Sequence, residues 1–378
     1  MTAIDVSFDA TPFPVDARGA GRYALEVLEA LAEREDVAMH VLARRGDGAR
    51  WARLGPATVR EVAPASRPVR LVWEQLGLPR ALERAGVAVH HGPHYTLPVR
   101  ARLPRVVTVH DMTFFDHPEW HERAKVPFFR RAIATAARRA AAIVVPSQRT
   151  ADLFLARFRP AGPVSVVRHG VDHRRFRPEE PALGGDAAAL SALGVHPPYV
   201  LFGPATIEPR KDVPTLVRAF DDIAGDHPGV TLVLAGGRGW GWAAAADAIA
   251  AARHPRRVTT LGFVDDAAVP ALLRGAAAVA YPSLEEGFGL TALEALACGA
   301  PLVTTTGSAM EEVVGDAGLL VAPGDRSGLA VALDRVLTGD AGLQARRARG
   351  LARAATATWE AAAAGHAAAY RAALDGRR

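Results

Sequence analysis

Short runs of apolar, often β-branched residues alternate with helical stretches along the whole chain, and few folds accept that pattern. The runs fall at residues 4–8, 37–42, 87–90, 106–109, 142–145 and 164–167, then at 199–202, 231–235, 258–261, 277–280, 301–304 and 319–321. Because they are apolar on both faces, they read as parallel strands covered by helices on each side, an α/β arrangement. Twelve strands exceed what one open sheet commonly holds, so two sheets of about six are expected. The 378 residues suffice for two cores. Residues 178–198 hold four prolines and three glycines and no strand pattern, which marks a linker. The expected organisation is a doubly wound α/β domain over residues 1–180, a linker over 181–198, a second such domain over 199–355, and a C-terminal helix over 356–378 free to cross back to the first domain.

Several function classes fall away on composition. The single cysteine, Cys298, rules out a disulfide framework and a cysteine-rich metal site. The opening residues carry neither the basic start nor the apolar core of a secretory signal, and no apolar run approaches the length of a membrane span. A cytoplasmic protein is expected. The net charge of +5 is uneven: residues 1–180 carry 28 Lys and Arg against 20 Asp and Glu, residues 181–378 carry 17 against 20. No basic stretch is interleaved with stacking aromatics, so a nucleic-acid partner is not expected.

Four segments carry the residue types of a reactive site. The first, Pro282-Ser-Leu-Glu-Glu286-Gly287-Phe288-Gly289-Leu290-Thr-Ala-Leu-Glu294, follows a strand and opens a helix. Gly287 and Gly289 let backbone approach a ligand closely, and the free amides of a helix N-terminus suit a diphosphate. Glu286 before the helix and Glu294 in its first turns can both face the crevice at the carboxyl ends of the strands. The plain alternative is that Glu294 only complements the helix dipole. The second segment, Phe202-Gly203-Pro-Ala-Thr-Ile-Glu208-Pro209-Arg210-Lys211-Asp212, leaves a strand with two adjacent cations, which suits a pyrophosphate leaving group. In a chain with 45 Lys and Arg, one of only two lysines stands there, where a compact point charge has a use that arginine does not serve.

In the N-terminal half, Asp16-Ala-Arg18-Gly19-Ala-Gly21-Arg22-Tyr23 is a glycine-rich loop opening a helix, but Gly-x-Gly alone is weak and Ala24 breaks the dinucleotide fingerprint. The fourth segment, His110-Asp111-Met-Thr-Phe-Phe, leaves a strand at its carboxyl end, where a histidine is well placed to meet a ligand. His90, His91 and His94 stand near enough in sequence to suggest a metal cluster with His110, yet no cysteine or carboxylate pair supplies a zinc spacing. No metal or cofactor is expected.

These segments resemble, in order and spacing from about residue 16 to 325, the motifs of glycosyltransferase family 4, and most nearly its bacterial mannosyltransferases. Glu286 and Glu294 match the Glu-x7-Glu motif, Glu208 to Lys211 the Glu-Pro-Arg-Lys segment with Asp212 for the commoner asparagine, Gly19 to Tyr23 the Gly-x-Gly-Arg-Tyr loop, and His110 the His-Asp-x-x-Phe pattern. Residues 167–172, with His169 for an asparagine, resemble the turn ahead of the family's linker. The resemblance implies the GT-B architecture, two Rossmann-like domains facing a central cleft, and a retaining hexosyl transfer from a GDP- or UDP-linked sugar without a metal. It implies that Glu286 and the amides of Gly287, Phe288, Gly289 and Leu290 hold the donor sugar, that Glu294 binds the ribose, that Phe263 and Val264 pack on the base, and that Gly203, Arg210 and Lys211 serve the diphosphate. It places His110 against the donor sugar and gives Asp16, Arg18, Gly19, Gly21, Arg22 and Asp111 to the acceptor side, the acceptor being a glycan, a lipid-linked saccharide or a small molecule. A phosphorylase or synthase on the same scaffold, and a non-catalytic sugar-nucleotide sensor, stay open. Residues 121–139 read as a helix carrying both cations and aromatics, which suits peripheral contact with an anionic membrane; the alternative is that Phe128, Phe129 and Ile133 pack on the sheet.

Overall fold

A computed structural model describes residues 3–13, 19–51, 54–178 and 185–376. The chain divides into two compact units, Met1–Gly170 with Trp359–Arg378, and Val171–Thr358. In the first unit, β1 (Ile4–Asp9), β2 (Val37–Arg44), β3 (Thr58–Ala63), β4 (Val89–Gly92), β5 (Arg105–Thr108), β6 (Ala142–Val145) and β7 (Val164–Val166) form one sheet in the order β3-β2-β1-β4-β5-β6-β7. In the second, β8 (Tyr199–Phe202), β9 (Thr231–Ala235), β10 (Val258–Gly262), β11 (Ala278–Tyr281), β12 (Leu302–Thr305) and β13 (Leu319–Val321) run β10-β9-β8-β11-β12-β13. Every strand pairing in both sheets is parallel.

Each sheet is therefore doubly wound, and its strand order reverses once, between β1 and β4 in the first unit and between β8 and β11 in the second. Loops leaving the carboxyl ends of the two strands beside a reversal diverge to opposite faces and leave a crevice, where such sheets take their ligands. The central strands β4, β6, β8 and β11 are buried at every residue, as helices on both faces require. Helix Ala20–Ala32 buries Tyr23, Ala24, Val27, Leu28 and Leu31, one stripe at helical spacing. Helix Leu290–Ala297 buries every residue from Ala292 to Ala297 and is apolar almost all round, apart from Glu294.

Three expectations need correction. The first sheet has a seventh strand, β3, whose sequence Thr-Val-Arg-Glu-Val-Ala is mostly exposed and pairs only with β2; an edge strand needs no apolar run. The 181–198 linker is not element-free. Residues Gly185–Ala192 form a helix whose Leu190 enters the second core, and Asp186 receives two hydrogen bonds of 2.6 Å from Arg274. The division between units accordingly falls at Gly170, ten residues before the expected boundary, and again at Thr358. Trp359–Asp375 is a helix of the first unit that packs against helix Ala20–Ala32. Helix Lys125–Arg139 buries Phe129 and Ile133 in the first core, but Phe128 is 40% exposed and shares the outward face with Arg131, Arg138 and Arg139. Among the described residues no helix is long and apolar enough to cross a membrane.

Candidate active site

The two strongest sequence segments leave the two strands that flank the reversal in the second sheet. After β8 the chain turns at Gly203, whose φ of 106° and whose position, 1.9 Å from the Ala235 carbonyl oxygen to any added Cβ, admit glycine alone. Tyr281, the last residue of β11, donates its hydroxyl to the Gly203 carbonyl at 2.8 Å and ties the two strand ends together. Pro209–Lys211 then form one short turn, and Asp212 follows in the left-handed region at φ 47° before helix Val213–Ile223. Asp and Asn are the non-glycine residues that visit that region most readily, which accounts for one replacing the other in this segment.

The loop after β11 comes back over this turn. The Leu284 amide donates to the Arg210 carbonyl at 2.8 Å. Glu286 receives the Lys211 ammonium on Oε1 and an Arg210 guanidinium nitrogen on Oε2, while Arg210 Nε donates to Glu208 Oε2 at 2.8 Å. Glu286 and Lys211 are both buried. Burial alone pushes the Glu286 carboxyl up, but the Arg210 and Lys211 charges overcome it and hold the acid down at about 2. Burial lowers the Lys211 ammonium, and Glu286 works against that shift. Gly289, at φ 108°, opens helix Leu290–Ala297 within 2.9 Å, measured from an added Cβ, of the Met310 side chain, and no side chain caps the helix. Two cations, a carboxylate that both of them grip, and uncapped amides thus stand together at a crevice mouth, a set that binds and stabilises phosphoryl charge.

The other expected donor residues are spread more widely. Glu294 is buried on the helix, and Phe288 is buried beside it in the second core. Phe263 and Val264 follow β10, the sheet's edge; Val264 is buried and Phe263 is 63% exposed. Sequence reasoning missed three members of the site: Glu208, Tyr281 and Ser283, whose buried hydroxyl has no hydrogen-bond partner. Glu208 and Ser283 stand inside the two quoted segments; Tyr281, the last residue of the strand before one of them, carries no motif signal.

In the first unit, His110 leaves β5 one residue past Val109 and donates Nε2–H to the Pro93 carbonyl at 2.8 Å. Burial holds the imidazole below its ordinary value, so it is neutral and keeps the lone pair on Nδ1. Its ring meets Tyr23 edge-on at 5.1 Å between centroids and Tyr95 at 5.5 Å. Asp111 accepts from the Thr113 amide at 3.1 Å and the Thr113 hydroxyl at 2.7 Å, opening the next short helix. Gly19 precedes helix Ala20–Ala32 at φ 53°, Gly21 is buried in it, and Arg22 reaches Glu26 at 3.9 Å. Asp16 and Arg18 lie outside the described residues. His90, His91 and His110 turn ring nitrogens to Ser7, to Tyr370 and Thr108, and to Pro93. Among the described residues no three His, Cys, Asp or Glu side chains converge as a metal's ligands would.

Known proteins match both halves of this arrangement. Residues 17–175 fit the family model described as Glycosyltransferase Family 4, and residues 197–339 fit the model described as Glycosyl transferases group 1. The O-antigen chain mannosyltransferase B of Escherichia coli is 30% identical over 274 residues, 72% of this chain and 71% of that protein. The chain belongs to glycosyltransferase family 4. Among solved structures, this glycosyltransferase is similar to sucrose-phosphate synthase from Thermosynechococcus elongatus, with a TM-score of 0.77 at 22% identity over 97% of this chain and 98% of that one. It is also similar to Anabaena HepE in complex with UDP-glucose, with a TM-score of 0.73 at 21% identity over 94% of this chain and 95% of that one. These likenesses identify the fold of the family 4 enzyme as GT-B.

Proposed function

We propose that this glycosyltransferase moves a hexose, with mannose the first sugar to test, from a nucleotide-diphosphate sugar to an acceptor hydroxyl with retention at the anomeric carbon. The observation that carries the reading is the convergence of Arg210 and Lys211 on Glu286 where the second sheet reverses. Two cations at that place stabilise a diphosphate leaving group as its charge grows. Glu286, with the amides from Gly287 to Leu290, holds the donor sugar, Glu294 the ribose hydroxyls, and Phe263 with Val264 the base. The UDP-glucose named with the Anabaena neighbour supports a nucleotide sugar as the ligand, and the name of the Escherichia coli relative supports mannose.

The bond between the anomeric carbon and the β-phosphate oxygen breaks as the acceptor oxygen bonds to the same face of that carbon. The acceptor proton passes to the departing phosphate, so no side chain has to be a strong base. Arg210 and Lys211 carry the charge released, which gives the reaction a metal-free route. His110 lies against the donor sugar and assists the transfer, while the loop from Asp16 to Arg22, with Asp111, serves the acceptor side. The protein works in the cytoplasm, with the Phe128 and Arg131 face of helix Lys125–Arg139 resting on an anionic leaflet when the acceptor is carried on a lipid.

Thermal-shift titration with GDP, UDP and inorganic phosphate, followed by donor hydrolysis across a panel of sugar nucleotides in EDTA, tests this reading. Stabilisation by one nucleoside diphosphate and hydrolysis of its hexose conjugate in EDTA are expected. Stabilisation by phosphate alone would turn the assignment to a phosphorylase, and binding without hydrolysis or transfer would turn it to a sensor. Activity that needs added Mn²⁺ or Mg²⁺ would overturn the metal-free route.

A further inference from the structure

The first unit contains a chain of buried hydrogen bonds that admits only one direction. His366 Nδ1 lies 2.8 Å from the Ala362 carbonyl oxygen, which can only accept, so Nδ1 carries the proton. Burial holds the His366 imidazole down at about 4, so at neutral pH its Nε2 has a lone pair and no proton. The Tyr23 hydroxyl, 2.7 Å away, must then donate to Nε2. Tyr23 has no second proton, so the Thr108 hydroxyl at 3.0 Å donates to it. Thr108 in turn accepts from His91 Nε2–H at 2.8 Å, and His91 Nδ1 accepts from the Tyr370 hydroxyl at 2.9 Å. Tyr370, His91, Thr108, Tyr23 and His366 are all wholly buried. The chain begins and ends on the last helix, Trp359–Asp375, and passes through β4, β5 and helix Ala20–Ala32.

Tyr23 is the one member of this chain whose ring meets His110, edge-on at 5.1 Å. The same ring is backed by His169 at 4.6 Å and Trp359 at 6.5 Å. Its hydroxyl is held at two points, by Thr108 and His366, which fixes the long axis of the ring, and packing against His169 and Trp359 fixes its turn about that axis. His110 is pinned only at Nε2, by Pro93, and a ring pinned at one atom can still swing about that bond. The Tyr23 ring blocks that swing together with the rings of Tyr95 and His94, 5.5 Å and 5.8 Å from His110, and of these it is the one tied to the last helix.

We infer that Tyr23 is a positioning residue for His110: the one-way hydrogen-bond chain from the last helix fixes the Tyr23 ring, and that ring fixes the plane of the His110 imidazole. The inference rests on the proposed function, in which His110 takes part in transfer. Tyr23 itself touches no reacting atom. The Gly-x-Gly-Arg-Tyr segment thereby has two jobs, a glycine-rich turn and an aromatic wall, and the last helix becomes part of the apparatus that sets His110. The residues that set it lie up to 343 positions apart in sequence.

Imidazole nitrogen NMR on the full-length ¹⁵N-histidine-labelled protein tests this without needing turnover. The wild type should show His366 protonated at Nδ1 and His91 and His110 at Nε2. Tyr23→Phe, which keeps the ring and removes its anchor, should shift and broaden the His110 signals; Tyr23→Leu should do so more strongly. His366→Leu should reproduce the Tyr23→Phe effect from the other side of the bond. Tyr370→Phe should leave His110 nearly unmoved, since the direction between Thr108 and His366 is set by Ala362. Where transfer is measured, Tyr23→Phe should lower kcat about tenfold to a hundredfold, the cost of a misplaced group, with the donor KM unchanged. Unaltered His110 signals in both Tyr23 variants, or His91 protonated at Nδ1, would overturn the inference. A wild type that shows the expected tautomers and His110 shifts but transfers no sugar would instead refute the proposed function and leave the positioning contact standing.

Discussion

Lowering the pH from 7 to 5 should unfold the first unit well before the second. His366 is held down at about 4, and His90 and His94 at about 3, from an ordinary 6.5, each mainly by burial. In the unfolded chain these imidazoles take up protons as pH falls through 6.5, while in the folded unit they stay neutral. Their stabilising contribution is therefore complete above pH 6.5 and is lost as pH falls toward 4, by about 1.4 kcal/mol per group and per pH unit. The three together withdraw about 4 kcal/mol per unit between pH 6 and 5. Glu74 opposes them. Burial, aided by Asp9, raises its acid to about 7, so the folded state gains a proton the unfolded one lacks, returning about 1.4 kcal/mol per unit down to pH 4.5. The net loss is about 3 kcal/mol per pH unit, against a total of about 5–15 kcal/mol for ordinary domains. Burial also lowers His91, His169 and His110, which adds to the loss, and raises Asp9, which works with Glu74 against it. Urea unfolding at pH 7, 6 and 5, read by pulse proteolysis with peptides assigned to residues 1–170 or 171–358, measures each unit separately. His366→Leu should flatten the pH slope of the first unit by about 1.4 kcal/mol per unit. A first unit equally stable at pH 7 and pH 5, or more stable at pH 5, would refute the reasoning.

Lys211→Ala should lower turnover about a hundredfold or more, because a charge stabiliser acts most strongly on the developing diphosphate. Glu294→Ala should instead weaken nucleotide binding in calorimetric titration, since ribose hydrogen bonds form in the ground and transition states alike. Gly203→Ala places a Cβ 1.9 Å from the Ala235 carbonyl at φ 106°; a loss of about 3 kcal/mol or more is expected in scanning calorimetry of the second unit, a fall in Tm of about 6–12 °C. Vesicles with anionic headgroups should retain the protein in sedimentation at low salt and release it at high salt. Equal recovery from neutral vesicles, or none from anionic ones, would remove the charged face of helix Lys125–Arg139 as a membrane contact.

The strand pattern was legible because most of these strands are buried on both faces and so carry continuous apolar runs. β3 was not, because an edge strand such as Thr58–Ala63 tolerates Arg60 and Glu61 in the solvent. Helix Gly185–Ala192 was hidden by the prolines and glycines around it, although its Ala-Ala-Ala-Leu core is helical in propensity. The site residues Arg210, Lys211 and Glu286 could each be named from their segments. Their mutual contact could not, because it depends on β8 pairing with β11 across the reversal, with Ala278 opposite Val200. The histidines near residue 90 suggested a metal cluster; their partners Ser7, Tyr370 and Thr108 lie on other elements, which local spacing does not reveal.

The last helix, Trp359–Asp375, completes a unit whose other residues all precede position 171. During synthesis the second unit can close as soon as its own sequence has emerged, but the first must wait for helix Trp359–Asp375. Until then Tyr23 and His91 lack the partners, His366 and Tyr370, that satisfy them, and the apolar stripe of helix Ala20–Ala32 lacks the surface that covers it. The order of maturation is thus the reverse of the order of translation, with a half-built N-terminal unit held over for the time needed to make roughly two hundred residues, on the order of ten to forty seconds at ordinary elongation rates.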